Sequence, residues 1–115
     1  MILCVDDEET ALVLRRAVLQ RAGYQVITAQ SGSEALQYVA SGDFALVLSD
    51  YLMPGMNGAE LTKHIKTTHP DIPVLLISGL NEPPSDAAVA EGFISKPVGP
   101  ETLCEEVAAL LSRQN

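Results

Sequence analysis

Basic residues are scarce in this sequence: 7 Lys and Arg stand against 15 Asp and Glu, a net charge of −8 at neutral pH. The deficit speaks against nucleic acid as a partner, because a phosphate backbone demands a basic face. It suits a metal cation or a basic protein surface. Cysteine is also sparse. Cys4 in an apolar run and Cys104 in a C-terminal helical pattern are the 2 cysteines, with neither metal-ligand spacing nor a CxxC partner, and both are expected to be buried thiols. Long apolar runs are missing too: "ALVLS" and "VLLIS" fall far short of a membrane span. "MILCVDDEET" lacks the basic start of a signal peptide. Neither an internal repeat nor a low-complexity tract stands out. These absences lead to the expectation of a cytoplasmic protein with no membrane contact.

What is present is apolar material spread through the whole length, 47% of 115 residues, enough for one core and too little for a second substrate domain. A single domain over residues 1–115 is expected. Strand-length apolar runs occur at Ile2–Val5, Gln25–Ala29, Phe44–Ser49, Val74–Ser78 and Phe93–Ser95. Several are apolar at successive positions, as in a parallel sheet covered on both faces by helices. Between them lie helical patterns with recognisable ends. Glu8 to Ala22 carries Ala11, Leu14, Val18 and Ala22 on one stripe and is followed by Gly23. Ser31 with Glu34, and Asn57 with Glu60, have capping-box spacing. The last pattern opens on Pro100 and is expected to bury Leu103, Val107, Leu110 and Leu111. Pro83 and Pro84 leave only "SDAAVAEG" for a helix between the last two strands, which must therefore be short. The reading is α/β: a flavodoxin-like (βα)5 doubly wound parallel sheet, strand order 2-1-3-4-5, with a shortened fourth helix.

In such sheets ligands bind beyond the carboxyl ends of the strands, where strand order reverses, here between strands one and three. Asp6 and Asp7 follow strand one and Asp50 follows strand three, so the fold gathers three acids from distant parts of the chain. Like charges about 4 Å apart repel by on the order of 4 kcal/mol at an effective dielectric near 20, so something positive is expected beside them. An all-oxygen set without His or Cys suits a hard cation such as Mg²⁺, which prefers a few carboxylates, waters and phosphate oxygens. Ser78 ends strand four with a hydroxyl and Lys96 follows strand five with an ammonium group. A phosphoryl group needs such a donor and such a charge.

The ordered set "CVDDEE", "LVLSDYLMPGMNG", "VLLISG" and "GFISKPV" resembles a response-regulator receiver domain, the CheY-like phosphoacceptor of two-component signalling, over essentially the whole chain. A free-standing regulator and the receiver of a hybrid sensor histidine kinase both fit. The resemblance implies a switch, not an enzyme acting on other molecules: Asp50 takes a phosphoryl group from the phosphohistidine of a sensor histidine kinase or phosphotransfer protein. It implies Mg²⁺ held by Asp7, Asp50 and the backbone carbonyl of Leu52, with Asp6 assisting. Lys96 would neutralise phosphoryl oxygens, and Ser78 would be the switch hydroxyl. Phe93 would be the aromatic that turns inward, and a downstream protein would read the changed surface. A cis Lys96–Pro97 bond is also implied.

The sequence departs from the family pattern in five places. The fourth crossover is short, Gly79 stands where alanine is frequent, and Phe93 lacks a tyrosine hydroxyl. Leu52 and Leu80 flank the acceptor where polar residues can orient an attacking water, so a long-lived aspartyl-phosphate is expected. His64 and His69 read as helix-surface and helix-end residues, and Met53 and Met56 as packing residues. The competing readings are an aspartate-nucleophile phosphatase of haloacid-dehalogenase type using Asp6, in which "DDEET" is a flawed DxDxT, an FMN carrier, and an unphosphorylated pseudo-receiver.

Overall fold

The strands form at short apolar runs rich in Val, Leu and Ile: β1 (Ile2–Val5), β2 (Val26–Ala29), β3 (Leu46–Asp50), β4 (Val74–Ser78) and β5 (Gly92–Ser95). In the computed structural model, which describes residues 1–113, they make one parallel sheet in the order β2-β1-β3-β4-β5, as expected. β1 pairs with β2 on one side and β3 on the other, and there the strand order reverses. β1 and β4 have the expected limits, and those of β2, β3 and β5 differ from the sequence reading by one or two residues. The difference that matters is at β3, whose last residue is Asp50 itself.

Successive side chains alternate between the two faces. Ile2, Cys4, Leu46, Leu48, Leu75, Ile77 and Ile94 pack with Leu12, Leu19, Leu103 and Val107, under helices α1 (Glu9–Arg21) and α4 (Pro100–Ser112). Leu3, Val5, Val47, Val74 and Leu76 pack with Ala35, Val39, Leu61 and Ile65, under α2 (Gly32–Ser41) and α3 (Gly58–Thr68). The same parity sends Asp6 and Asp50 toward the α1 side. Among the described residues no helix is long and apolar enough to cross a membrane.

Helix starts follow the sequence logic. Asn57 and Glu60 form a full capping box, with Glu60 N–H on Asn57 Oδ1 at 2.8 Å and Asn57 N–H on Glu60 Oε1 at 3.1 Å. At α2 the Ser31 hydroxyl accepts Glu34 N–H at 3.1 Å, whereas the Glu34 carboxylate takes Gln30 N–H at 3.3 Å. Gly55 sits at φ +76°, a left-handed turn that leads into α3. Gly58 is required by closeness: a Cβ there would lie 2.6 Å from the Asp50 carbonyl oxygen.

The stripe expected on α1 is rotated by one position. Leu12 and Leu19 are buried, Ala11 and Val18 are half-buried, and Leu14 (62% exposed) and Ala22 face solvent. The two positions differ by only 100° around the helix, and the larger leucines bury more apolar area than the alanines. On α4, Leu103, Val107 and Leu110 are buried as expected, while Leu111 and Cys104 are half-buried. Cys4 is fully buried, and burial pushes its thiol up to about 12.

The fourth crossover holds a five-residue 3₁₀ turn, Ser85–Val89, instead of an α-helix. Pro84 has no N–H to donate, and its carbonyl accepts Ala87 N–H at 3.0 Å, which closes a tight i→i+3 turn. Ala87 is the buried anchor of this turn.

Candidate functional site

Residues at the carboxyl end of a strand are fixed by the ladder beneath them, and the side chains in question all stand there. Asp6 is the first residue beyond β1 and is 1% exposed, with its N–H on the Ala29 carbonyl at 3.1 Å. Asp50 closes β3 and is 6% exposed. Asp7 follows Asp6 into solvent. One carboxylate oxygen from each of Asp6, Asp7 and Asp50 lies within 4.8 Å of the others. Residues separated by more than forty positions in sequence thus meet in one crevice, as expected.

The lysine reaches the same crevice from β5. Lys96 Nζ is 3.0 Å from Asp50 Oδ1, and its backbone N–H donates to the Ser78 carbonyl at 2.7 Å. The Lys96–Pro97 peptide is cis. Burial raises the Asp50 carboxyl above its ordinary range, the hydrogen bond and charge of Lys96 oppose that, and the neighbouring Asp6 charge adds to it. Ser78 is buried at the end of β4, and its oxygen accepts Leu80 N–H at 3.1 Å. Its proton is therefore the part of the group that can be donated. Leu52, two residues beyond Asp50, and Leu80, two residues beyond Ser78, are 61% and 42% exposed. Phe93 is half-buried and packs against the α3-side core.

Two features escaped the sequence reading. Arg15 on α1 donates from Nη1 to Asp6 Oδ2 at 2.6 Å, and Glu8 N–H donates to Asp6 Oδ1 at 3.0 Å, so both Asp6 oxygens are engaged. The signal was available: position 15 lies between half-buried Ala11 and Val18 and buried Leu12 and Leu19. A charge on that arc requires a partner. A buried, doubly bonded Asp6 is also poorly placed to be a nucleophile, which removes the motive for the phosphatase reading. The second feature is Tyr51, next to Asp50. Its hydroxyl donates to Asp86 Oδ1 on the 3₁₀ turn at 2.8 Å, and that bond holds the phenol above its ordinary range. Nothing in the spacing of positions 51 and 86 announces this link. Met53 is buried and Met56 packs against the core, both as expected. His64 is exposed and His69 is the C-cap of α3.

Comparison with known proteins places this arrangement. The pattern of the family described as "Response regulator receiver domain" matches residues 2–108. The chain is 35% identical to the sensor kinase CckA of Brucella abortus, over 99% of this chain and 13% of that protein. It is 32% identical to the alkaline phosphatase synthesis transcriptional regulatory protein PhoP of Bacillus subtilis, over 97% of this chain and 48% of that protein. It therefore spans no more than about half the length of these curated relatives. Among solved structures, the response regulator TrrA of Thermotoga maritima, crystallised in complex with Mg²⁺-BeF, superposes with a TM-score of 0.89. The two are 32% identical, over 95% of this chain and 96% of that one.

Proposed function

This chain belongs to the response regulator receiver domain family, and from that membership we propose that Asp50 is the residue that takes the phosphoryl group. The observation that carries the proposal is the meeting of the Asp6, Asp7 and Asp50 carboxylates within 4.8 Å, with Lys96 on Asp50 at 3.0 Å. In the reaction, an Asp50 oxygen attacks phosphorus in line, an O–P bond forms, and the P–N bond to the donor histidine breaks, with the electron pair leaving on nitrogen. The raised basicity of Asp50 strengthens it as a nucleophile, while Lys96 keeps it ionised. Lys96 stays to neutralise phosphoryl oxygens, and the Ser78 hydroxyl donates to them when the loop that follows β4 moves. Phe93, on β5 two positions before the Ser95 that pairs with Ser78, turns into the space that this movement vacates.

The donor set fits Mg²⁺: hard oxygen ligands only, two of them buried, and three acids against the two cations Arg15 and Lys96. Asp7, Asp50 and the Leu52 carbonyl are assigned to hold it, with Asp6 assisting. When bound, Mg²⁺ supplies charge neutralisation for the transferring phosphoryl oxygens.

Residues 1–115 are read as one receiver domain that acts as a switch and catalyses only its own phosphorylation and dephosphorylation. The partners are a sensor histidine kinase or phosphotransfer protein and a downstream protein target, in the cytoplasm, without nucleic acid or membrane. Treatment with acetyl phosphate and Mg²⁺ followed by peptide mass spectrometry tests the assignment. One phosphoryl group on Asp50, absent in Asp50→Asn, is expected. Phosphate on Asp6, or none, would overturn it.

A further inference from the structure

The crevice already contains a cation on its α1 side. Arg15 reaches it from a helix position at the centre of the apolar arc, and its side chain is 11% exposed. Its Nη1 rests on Asp6 Oδ2 at 2.6 Å. Burying a guanidinium costs free energy unless its partner repays it, and the partner here is one of the three acids. An apolar side chain at position 15 would complete the packing of α1 with less penalty, so packing alone does not account for an arginine. Asp6 would otherwise be a buried carboxylate next to two others.

We infer that Arg15 is a positioning residue that acts as a built-in counter-cation: it holds Asp6 in place, stabilises the crevice in the absence of a divalent ion, and weakens Mg²⁺ binding by placing a like charge beside the metal. The inference rests on the reading that Asp6, Asp7 and Asp50 take Mg²⁺. Its consequence is that the receiver keeps an assembled crevice when the metal leaves. Mg²⁺ occupancy then follows the free concentration more closely than it would in a crevice of acids alone. Arg15 bonds only one Asp6 oxygen while Glu8 N–H holds the other, so Asp6 stays oriented in both states.

The direction of the effect separates this role from a merely structural one. Damage to the fold loosens a metal site, whereas loss of a repelling charge tightens it. Calorimetric Mg²⁺ titrations of metal-free protein at fixed ionic strength, with folding checked by circular dichroism, would compare wild type with Arg15→Gln, Arg15→Met, Arg15→Lys and Asp50→Asn. Arg15→Gln keeps a donor for Asp6 without the charge, and Arg15→Met suits the apolar arc if the glutamine variant does not fold. Either neutral variant is expected to bind Mg²⁺ about tenfold more tightly, the size of one charge acting on a divalent ion in a partly solvated crevice. Arg15→Lys should stay near wild type. Equal or weaker binding in the folded neutral variants, with wild-type binding intact and reduced in Asp50→Asn, would overturn the role given to Arg15. Failure of wild type to bind Mg²⁺ would overturn the metal reading itself.

Discussion

At the β1–β3 end of the sheet's carboxyl edge, each strand leads into a regular α-helix of ten or more residues, and the acids stand at the ends of fully buried strands. At the β4–β5 end, the chain runs through two prolines and a five-residue 3₁₀ turn, with Ala87 as its one buried residue. The first region fixes geometry, since in-line transfer tolerates little misplacement of the acceptor. The second is held mainly by polar links: Tyr51 to Asp86 at 2.8 Å, and Ser95 Oγ donating to the Leu80 carbonyl at 2.9 Å. A segment with few buried apolar contacts opens at low free-energy cost, which a switch requires. The chemistry and the response thus occupy the same edge but differ in stiffness.

The comparison breaks most easily in the core. Leu48, 1% exposed on β3, is surrounded by Ile2, Leu46, Leu75 and their neighbours. Leu48→Ala should cost about 3 kcal/mol through lost transfer and a residual cavity. Ala87→Gly in the crossover should cost about 1 kcal/mol, chiefly backbone entropy. Urea unfolding midpoints at constant slope give both values. Equal losses would mean that the crossover is as firmly built as the strands, and the contrast would be void.

Removing the Tyr51 hydroxyl tests the link between the two regions. Tyr51→Phe keeps the ring in the core and deletes the bond to Asp86, so about 1 kcal/mol should be lost. Amide exchange at Ala87 and Ala90 should quicken while β1 and β3 are unaffected. Unchanged exchange in the crossover would show that the bond does not tie it down.

The strands, the sheet order and the three acids were legible in the sequence because each rests on local signals: unbroken apolar runs, caps, and acids immediately after strands. Asn57 with Glu60 marked a helix start by spacing alone. The facing of α1 was misread because Leu12 and Leu19 lie one position from the stripe chosen, and a helix shifted by one residue keeps the same period. Arg15 carried a signal, a charge on the buried arc, but its partner Asp6 depends on how α1 crosses β1. The Tyr51–Asp86 bond had no sequence signal, since it depends on the path of an irregular crossover. The Pro83–Pro84 pair did limit that crossover, and only the form of the remaining turn, 3₁₀ instead of α, was left to packing.

The smallest expected effect lies just beyond the acceptor. Leu52 and Leu80 present hydrocarbon where a polar group could hold a water in line with the phosphorus of a phosphorylated Asp50, and Leu52 is exposed enough to change without disturbing the core. Leu52→Asn retains the backbone carbonyl assigned to the metal and adds an amide able to orient that water. One such hydrogen bond, worth about 1 kcal/mol in the hydrolysis transition state, should shorten the lifetime of the phosphorylated protein roughly fivefold. Loss of the phosphoryl group, followed by intact-mass spectrometry after removal of the donor, measures it. Were the lifetime the same in Leu52→Asn, water access would be set by Ser78 and Lys96 at the ends of β4 and β5, and the slow step would belong to the β4–β5 end instead of the segment after Asp50.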